Sequence, residues 1–184
     1  ERAQVERHMK LLSGAGLRPY SIESEMQAAI EALRFNEYID EKATSCVVSI
    51  GDAQTHISFI RKGELITTRT DRIGLGNINR ALQSRLGITF EEAERRKLAY
   101  RFSDDPTITT PEQEVIEEVI FQISKSIKES LEGYLDSNPG EAIENLYLIG
   151  GGSRYPKMDA VLQSFFGIPT TIPNPFKNIE IYSK

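Results

Sequence analysis

The sequence contains little cysteine and little histidine, and this scarcity excludes several kinds of site. Among 184 residues there are one cysteine and two histidines. One cysteine cannot form an internal disulfide framework, and Cys46 stands in the most apolar part of a predicted strand, as small core residues do. His8 and His56 are far apart and have no cysteine or aspartate at zinc-ligand spacing. We therefore predict no metal site in this chain, and we assign no catalytic residue because no serine, histidine and acid fall into a triad-like arrangement.

The sequence also lacks long hydrophobic runs and an excess of positive charge. No apolar stretch approaches the roughly 18–20 residues that cross a bilayer, and no signal peptide is recognisable. The formal net charge of −5 disfavours a nucleic-acid surface, which usually needs a basic face. Hydrophobic residues at 39% and charged residues at 27% are typical of a globular protein. We expect a cytoplasmic protein that has no transmembrane segment and binds no nucleic acid.

The first half of the chain contains a predicted antiparallel meander of three strands. An apolar run at 46–50 stops at the turn dipeptide Gly51-Asp52. Residues 55–61 then alternate in polarity, Lys62-Gly63 turns the chain, and residues 64–72 are rich in threonine and isoleucine, as strands are. We expect this meander to bury one face.

The first turn of the meander allows two interpretations. Its backbone N–H groups could line an anion-binding concavity, to which a threonine hydroxyl would add a donor. An ordinary hairpin turn explains the same dipeptide. The positions concerned are Gly51, Asp52, Ala53, Gln54 and Thr55.

Helices are predicted on both sides of the meander. Residues 3–14 have an amphipathic helical pattern, and the chain begins inside this pattern, as a piece of something longer would. Ser24 caps a second helix. Residues 78–86 form a third helix, and the Thr89-x-x-Glu92 spacing of a capping box begins a fourth. Residues 111–136 form the longest helix, with an apolar face that packs on a sheet.

Two further spacings admit a functional and a structural interpretation. Gly74-x-Gly76 follows a strand, which is weak evidence of phosphate binding and is usually a turn. Glu94 and Lys97 share one helix face, and in isolation they would form a solvated i, i+3 ion pair.

A glycine-rich turn in the second half is a stronger signal for a ligand. A strand at 145–149 runs directly into Gly150-Gly151-Gly152-Ser153. Glycine backbone lets a flat or charged ligand lie close, and the N-terminus of a following helix, which we start at Pro156, adds positive potential. A plain strand–helix turn is the alternative, and Tyr155 either stacks on a base or caps that helix. The motif lacks the Gly-Lys-Ser/Thr ending of a P-loop. A short strand at 168–172 closes the pattern.

Together these blocks resemble the PilM family of type IV pilus assembly proteins, relatives of the division protein FtsA in the actin/Hsp70/sugar-kinase superfamily. The resemblance covers nearly the whole chain, and its blocks are VERHMKLLSGAGLRPYSIESEMQAAIEAL, SIGDAQTHISFIRKGELITTR, RLGITFEEAERRK, LYLIGGGSRYPKMDAVLQSFFGIPT and NPF. It implies an α/β fold, an actin-like (ribonuclease H-like) ATPase domain whose mixed sheet contains the three-strand meander and flanking helices. Residues 1–42 would end the first domain and cross over, 43–176 would form the second domain with a small helical subdomain at about 75–105, and 177–184 would be a tail.

The resemblance also implies a site for ATP or ADP, with Mg²⁺, in the intact protein. Residues 51–55 would be the second phosphate loop, and residues 150–153 would hold the adenosine. Ala93-Glu94-x-x-Lys97 resembles the ribose and adenine clamp of these relatives, which makes Glu94 and Lys97 face the ligand. Gly74 and Gly76 match glycines that precede the clamp helix.

Two departures from the superfamily pattern argue against turnover. The phosphate loop usually begins with an aspartate that helps to hold hydrated Mg²⁺, and here Ser49 stands in that position. The first phosphate loop belongs to the first domain, which this chain does not carry. Because phosphoryl transfer depends on placement and charge neutralisation, we expect ATP binding in the intact protein and weak or absent hydrolysis by this chain.

By resemblance, the protein would be a scaffold peripheral to the cytoplasmic face of the inner membrane. It would bind the cytoplasmic tail of a PilN-like inner-membrane protein through a groove in the first domain, and actin relatives also allow self-association. A nucleotide-free structural domain, as in the type II secretion protein GspL, is the alternative that Ser49 favours and the glycine-rich turn opposes. An FtsA-like division protein and an active sugar kinase or other ATPase are further alternatives.

Overall fold

The computed structural model describes residues 2–101 and 110–180. The chain combines helices and strands, as the predicted α/β fold requires. In chain order they are α1 (Arg2–Gly14), α2 (Glu25–Phe35), β1 (Thr44–Ile50), β2 (Thr55–Arg61), β3 (Glu64–Asp71), α3 (Gly76–Leu86), α4 (Phe90–Ala99), α5 (Pro111–Ser137), β4 (Asn145–Ile149), a 3₁₀ turn (Gly151–Arg154), α6 (Met158–Phe166) and β5 (Thr170–Thr171).

The strands form one five-stranded mixed sheet in the order β3-β2-β1-β4-β5. β1, β2 and β3 pair antiparallel, whereas β1 with β4 and β4 with β5 pair parallel. The predicted mixed sheet with an antiparallel meander is therefore confirmed. Because β1 and β4 are parallel neighbours, their carboxyl ends, Ile50 and Ile149, meet at the same edge of the sheet.

The long helix α5 forms the main core with one face of the sheet. It begins at a capping box between Thr110 and Gln113, with proline at its first position. Apolar residues that recur at helical spacing, such as Ile123 and Ile127, are fully buried together with Val48 of β1. This packing holds β1 and β4 in the middle of the molecule.

The prediction that the meander buries one face is wrong, because α2 covers the opposite face. Every residue of β1 is buried. Ile30 and Leu33 of α2 form a second core cluster with Val47, Ile60 and Tyr147 of the sheet. The two clusters lie on opposite faces, since alternate residues of a strand point in opposite directions.

The predicted boundaries of α6, the last strand and α3 differ from the structure. α6 begins at Met158 rather than Pro156, because the 3₁₀ turn intervenes and Lys157 has a left-handed backbone with φ of 54°. The last strand comprises two residues instead of 168–172. α3 begins at Gly76, two positions earlier than predicted.

The first helix packs little against the rest of the described chain, whereas α3 and α4 contribute residues to the main core. α1 has no buried residue: Met9 of its apolar stripe is half-buried, and Val5 and Leu12 are exposed. α3 and α4 pack against each other within the predicted subdomain at 75–105. Residues 102–105 of that subdomain and residues 181–184 of the predicted tail lie outside the described residues. In the described ranges no helix is long and apolar enough to cross a membrane.

Candidate functional site

A cleft of about 360 Å³ opens where the carboxyl ends of β1 and β4 meet. Its walls come from the turn after β1, helix α4 and the glycine-rich turn after β4. The lining residues are Gly51, Asp52, Leu75, Glu94, Lys97, Leu98, Arg101, Gly151, Gly152, Arg154, Tyr155 and Pro156. Clefts at this edge of an open sheet are where α/β proteins bind ligands.

The turn after β1 packs against two glycines, Gly74 and Gly76, which were predicted to belong to the site. A Cβ on Gly74 would lie 2.5 Å from the carbonyl oxygen of Gly51, and a Cβ on Gly76 would lie 2.6 Å from Oδ1 of Asp52. The backbone N–H of Gly76 also donates to the carbonyl oxygen of Asp52 at 2.8 Å. Gly74 and Gly76 thus allow the turn to pack on the start of α3, and neither lines the cleft.

Of the five predicted phosphate-loop positions, Gly51 and Asp52 line the cleft. Thr55 is buried and its hydroxyl donates to the carbonyl oxygen of Ile73 at 2.8 Å, so this hydroxyl is used within the fold. Ala53 and Gln54 are exposed at the turn and do not contribute to the wall.

Helix α4 presents a charged pair to the cleft. Lys97 Nζ lies 2.7 Å from Glu94 Oε2, and the lysine side chain is 8% exposed against 37% for the glutamate. Asn79 of α3 donates through Nδ2 to the same Oε2 at 2.5 Å. The hydrogen bonds from Asn79 and then Lys97 hold the pKa of Glu94 below its usual value, so the carboxylate is ionised at neutral pH. The interpretation as an ordinary solvated ion pair is therefore wrong for Lys97, which is buried.

The glycines after β4 have different structural roles. Gly150 has a φ of +81°, and a Cβ on Gly152 would lie 2.5 Å from Cβ of Ile50, so both let the turn pack against the end of β1. A Cβ on Gly151 would meet no described atom within 4 Å, although this residue lines the cleft. Ser153 donates its hydroxyl to the carbonyl oxygen of Gly150 at 2.8 Å, and these two residues line a separate cavity of about 340 Å³ behind the turn.

Tyr155 lines the cleft and is buried. Its ring stacks on Tyr100 with centroids 5.9 Å apart, and burial raises the pKa of its hydroxyl. The prediction that it caps α6 is wrong, because Lys157 occupies the N-cap position. Stacking on a base stays a prediction.

Sequence reasoning missed several residues of the wall. Arg154 follows the glycine-rich turn directly, and Arg101 stands four positions after Lys97, just past the end of α4, so their spacing was an available signal. Asn79 had no such signal, because its contact with Glu94 depends on how α3 packs on α4. Ser49, in contrast, is buried behind the turn, with its Oγ 3.0 Å from where a Cβ on Gly150 would lie.

The cleft suits a ligand with a flat apolar part, hydroxyl groups and an anionic end. Leu75, Leu98 and Pro156 supply apolar surface, Glu94 supplies a hydrogen-bond acceptor, and Lys97 and the two arginines supply positive charge. Mg²⁺ takes one or two carboxylates besides phosphate oxygens and water, so the turn after β1 offers the minimum that this ion needs. Asp52 is the one carboxylate at the turn after β1, and the described residues contain no cluster of three or more His, Cys, Asp or Glu that could hold a metal ion.

Solved structures with the same fold come from actin-like proteins. A structure described as the PilM-PilN type IV pilus biogenesis complex matches with a TM-score of 0.76 and 22% identity, over 94% of this chain and 48% of that chain. The ethanolamine utilization protein EutJ from Carboxydothermus hydrogenoformans matches with a TM-score of 0.65 and 26% identity, over 88% of this chain and 53% of that chain. MreB5 of Spiroplasma citri, solved bound to AMPPNP, matches with a TM-score of 0.64 and 17% identity, over 94% of this chain and 60% of that chain.

These matches establish the actin-like fold that the sequence predicted. This chain spans about half the length of the first two solved chains, at 48% and 53%. The model of the family described as type IV pilus assembly protein PilM matches residues 1–184. The resemblance seen in the sequence is therefore confirmed over the whole chain, which belongs to the PilM family of type IV pilus assembly proteins.

Proposed function

We propose that this chain is the nucleotide-binding half of an actin-like scaffold in type IV pilus assembly. The observation that carries the proposal is the cleft between the turns after β1 and β4, with the Glu94–Lys97 pair on its wall. Lysine is rarely buried unless it is paired, and Lys97 is paired with a carboxylate that lines the cleft. A nucleoside phosphate matches the flat apolar surface, the acceptor and the positive charge of this cleft.

In this proposal the nucleoside lies between α4 and the glycine-rich turn. A ribose hydroxyl donates to Glu94, and the open space at Gly151 admits the sugar or base against the backbone. The phosphates of ATP or ADP approach the backbone N–H of Asp52 in the turn after β1, because the N–H of Gly51 already donates to the carbonyl oxygen of Gln54 at 2.9 Å. Mg²⁺, where bound, would add charge neutralisation for the phosphates near Asp52.

The site favours binding over hydrolysis. Ser49 is buried behind Gly150 and cannot take the place of a metal-orienting aspartate in the cleft. Among the described residues that line the cleft, the carboxylates are Asp52 and Glu94, and Glu94 accepts hydrogen bonds from Asn79 and Lys97. We therefore propose a scaffold whose nucleotide stabilises one conformation, rather than a turnover enzyme.

We further propose that the protein acts at the cytoplasmic face of the inner membrane with a PilN-like partner. Membership of the PilM family supports this, as does the fold shared with a protein solved as a PilM-PilN complex. The resemblance places the binding groove in the other half of the longer relatives. A peptide of the partner's cytoplasmic tail should therefore bind the natural full-length polypeptide in calorimetry and fail to bind the 184-residue chain alone.

Calorimetry with ATP and Mg²⁺ tests the nucleotide proposal. We expect the natural full-length polypeptide to bind ATP, and Gly151→Val to lower the affinity at least tenfold because the new side chain enters the cleft without meeting the fold. Gly133→Val, on the exposed side of α5 where a Cβ also meets no described atom within 4 Å, is the matched control and should bind as the wild type does. Absence of binding by the folded wild type at millimolar ATP would favour the nucleotide-free, GspL-like domain.

A further inference from the structure

A buried amide on α3 makes its hydrogen bond to the carboxylate of the cleft. Asn79 is 1% exposed, on the helix face that also buries Ile78 and Leu82. Its Nδ2 donates to Glu94, while its Oδ1 has no hydrogen-bond partner among the described residues. A buried acceptor without a partner is destabilising, so a leucine of similar size would suit this core better. The contact with Glu94 is the structural feature that explains an asparagine here.

The two donors around Glu94 act on a single oxygen. Asn79 Nδ2 lies 2.5 Å and Lys97 Nζ 2.7 Å from Oε2. Within residues 2–101 and 110–180 no hydrogen bond reaches Oε1. Two donors from different helices restrict the rotation of the carboxylate group, and the glutamate side chain is 37% exposed on the wall of the cleft. Oε1 is therefore held available for a ligand.

An ionised carboxylate oxygen accepts hydrogen bonds and donates none. It therefore selects a ligand group with hydroxyl hydrogens and repels phosphate oxygens. The vicinal diol of a ribose provides two such hydroxyls, and a deoxyribose has lost one of them. The hydrogen bonds to Oε2, which fix the orientation of Oε1, consequently affect binding of the ribose rather than of the base or the phosphates.

We propose that Asn79 is a positioning residue that orients Glu94 Oε1 toward a ribose hydroxyl and thereby makes the cleft prefer ribonucleotides to deoxyribonucleotides. The inference rests on the proposed nucleotide site and assigns a role to a residue that does not line the cleft. If Asn79 only filled space between α3 and α4, its replacement would change the affinity for all nucleotides alike. The ratio of affinities for ATP and for its deoxy analogues separates these two roles.

The experiment measures binding of ATP, 2′-deoxyATP and 3′-deoxyATP by calorimetry with the natural full-length polypeptide. The variants are Asn79→Leu, Glu94→Ala and the double variant. We expect the wild type to bind ATP at least tenfold more tightly than one of the deoxy analogues, since a hydrogen bond to a charged group is lost. Asn79→Leu should lower ATP affinity about fivefold to tenfold, reduce that ratio toward the ratio of Glu94→Ala, and unfold at the wild-type temperature or above.

The double-mutant cycle supplies the second readout. In the Glu94→Ala background, Asn79→Leu should cause no further loss of ATP affinity, because the carboxylate that Asn79 orients is gone. Ser124→Ala is the matched control: Ser124 is also a buried polar residue, but it lies on α5 and donates to the carbonyl oxygen of Ile120. We expect this control to change neither the ATP affinity nor the ratio.

Three results would overturn the inference. If the wild type binds ATP and Asn79→Leu keeps the wild-type ratio, Asn79 does not position Glu94, and the proposed function stands. If the wild type binds ATP and both deoxy analogues with equal affinity, the cleft has no preference for ribose, and the inference fails while the proposed nucleotide site stands. If the wild type binds none of them, the proposed function fails first and the inference with it. Should Asn79→Leu not fold, Asn79→Ala is judged by the same ratio.

Discussion

The charged residues of α4 have different partners, although they lie within two turns of one another. Glu94 and Lys97 face the cleft. Glu92 instead accepts hydrogen bonds from Arg95 and Arg96, and Arg96 continues to Glu112 of α5 at 2.9 Å. These contacts tie α4 to the first turn of the long helix, so Glu92 is a structural anion.

The hydrogen bonds from Arg95 and then Arg96 lower the pKa of Glu92 from 4.5 to about 2. Because the folded pKa is depressed, the ionised carboxylate stabilises the fold above the unfolded pKa, and this contribution is lost as the pH falls from about 4.5 to about 2. We therefore expect Glu92→Gln to be less stable than the wild type at pH 7 and equally stable near pH 2. Urea unfolding at several pH values measures the difference.

Glu91→Gln is the control for this titration, since Glu91 lies beside Glu92 but makes no ion pair within the described residues. Its stability should follow that of the wild type across the same pH range. A Glu92→Gln variant whose difference from the wild type is independent of pH would contradict the assignment.

At the scale of elements, α2 decides whether the sheet is covered on its second face. Ile30 is fully buried in the cluster between α2 and the sheet. We expect Ile30→Ala to lower the free energy of unfolding by about 2–5 kcal/mol, the usual result of removing a buried isoleucine side chain. Ile22→Ala, at a position 59% exposed just before α2, should change it by less than about 0.5 kcal/mol. Urea unfolding of both variants makes the comparison, and equal losses would show that α2 does not cover the sheet.

At the scale of the whole molecule, the two ends of the described chain contribute unequally to the stability of the fold. α1 buries no residue, whereas the segment after β5 returns to the end of α2. There Asn36, itself buried, donates to the carbonyl oxygen of Pro175 and accepts from the backbone N–H of Asn178, both at 2.9 Å. Contacts of Asn36 with residues 175, 177 and 178 thus join the end of α2 to the segment after β5.

We predict that the 184-residue chain tolerates truncation at one end and not at the other. Removing residues 1–16 should leave the free energy of unfolding nearly unchanged, because stability follows buried apolar area. Removing residues 174–184 should lower it by about 1–3 kcal/mol, because buried polar atoms of Asn36 lose their partners. Urea unfolding measures both, and a large loss on removing α1 would show that its apolar stripe is covered.

Much of the fold could be predicted because its signals are local. Gly51-Asp52 and Lys62-Gly63 are turn dipeptides between strand-like runs, and α5 has both a capping box and helical periodicity. The family could be identified because separate blocks, each formed by neighbouring residues, occur in one order along the whole chain. Glu94 and Lys97 could be found because one helix carries both.

Tertiary structure decided what depends on residues far apart in the sequence. Gly74 and Gly76 are needed because the turn at Asp52 packs on them, which spacing alone cannot show. The second buried face of the meander depends on α2, and the orientation of Glu94 depends on an amide 15 positions earlier. The sequence by itself determined the elements, their turns and the family, because these follow from local geometry and periodicity. Which side chains face the cleft and which support it was decided by packing between elements, because burial and hydrogen bonding are properties of the folded chain.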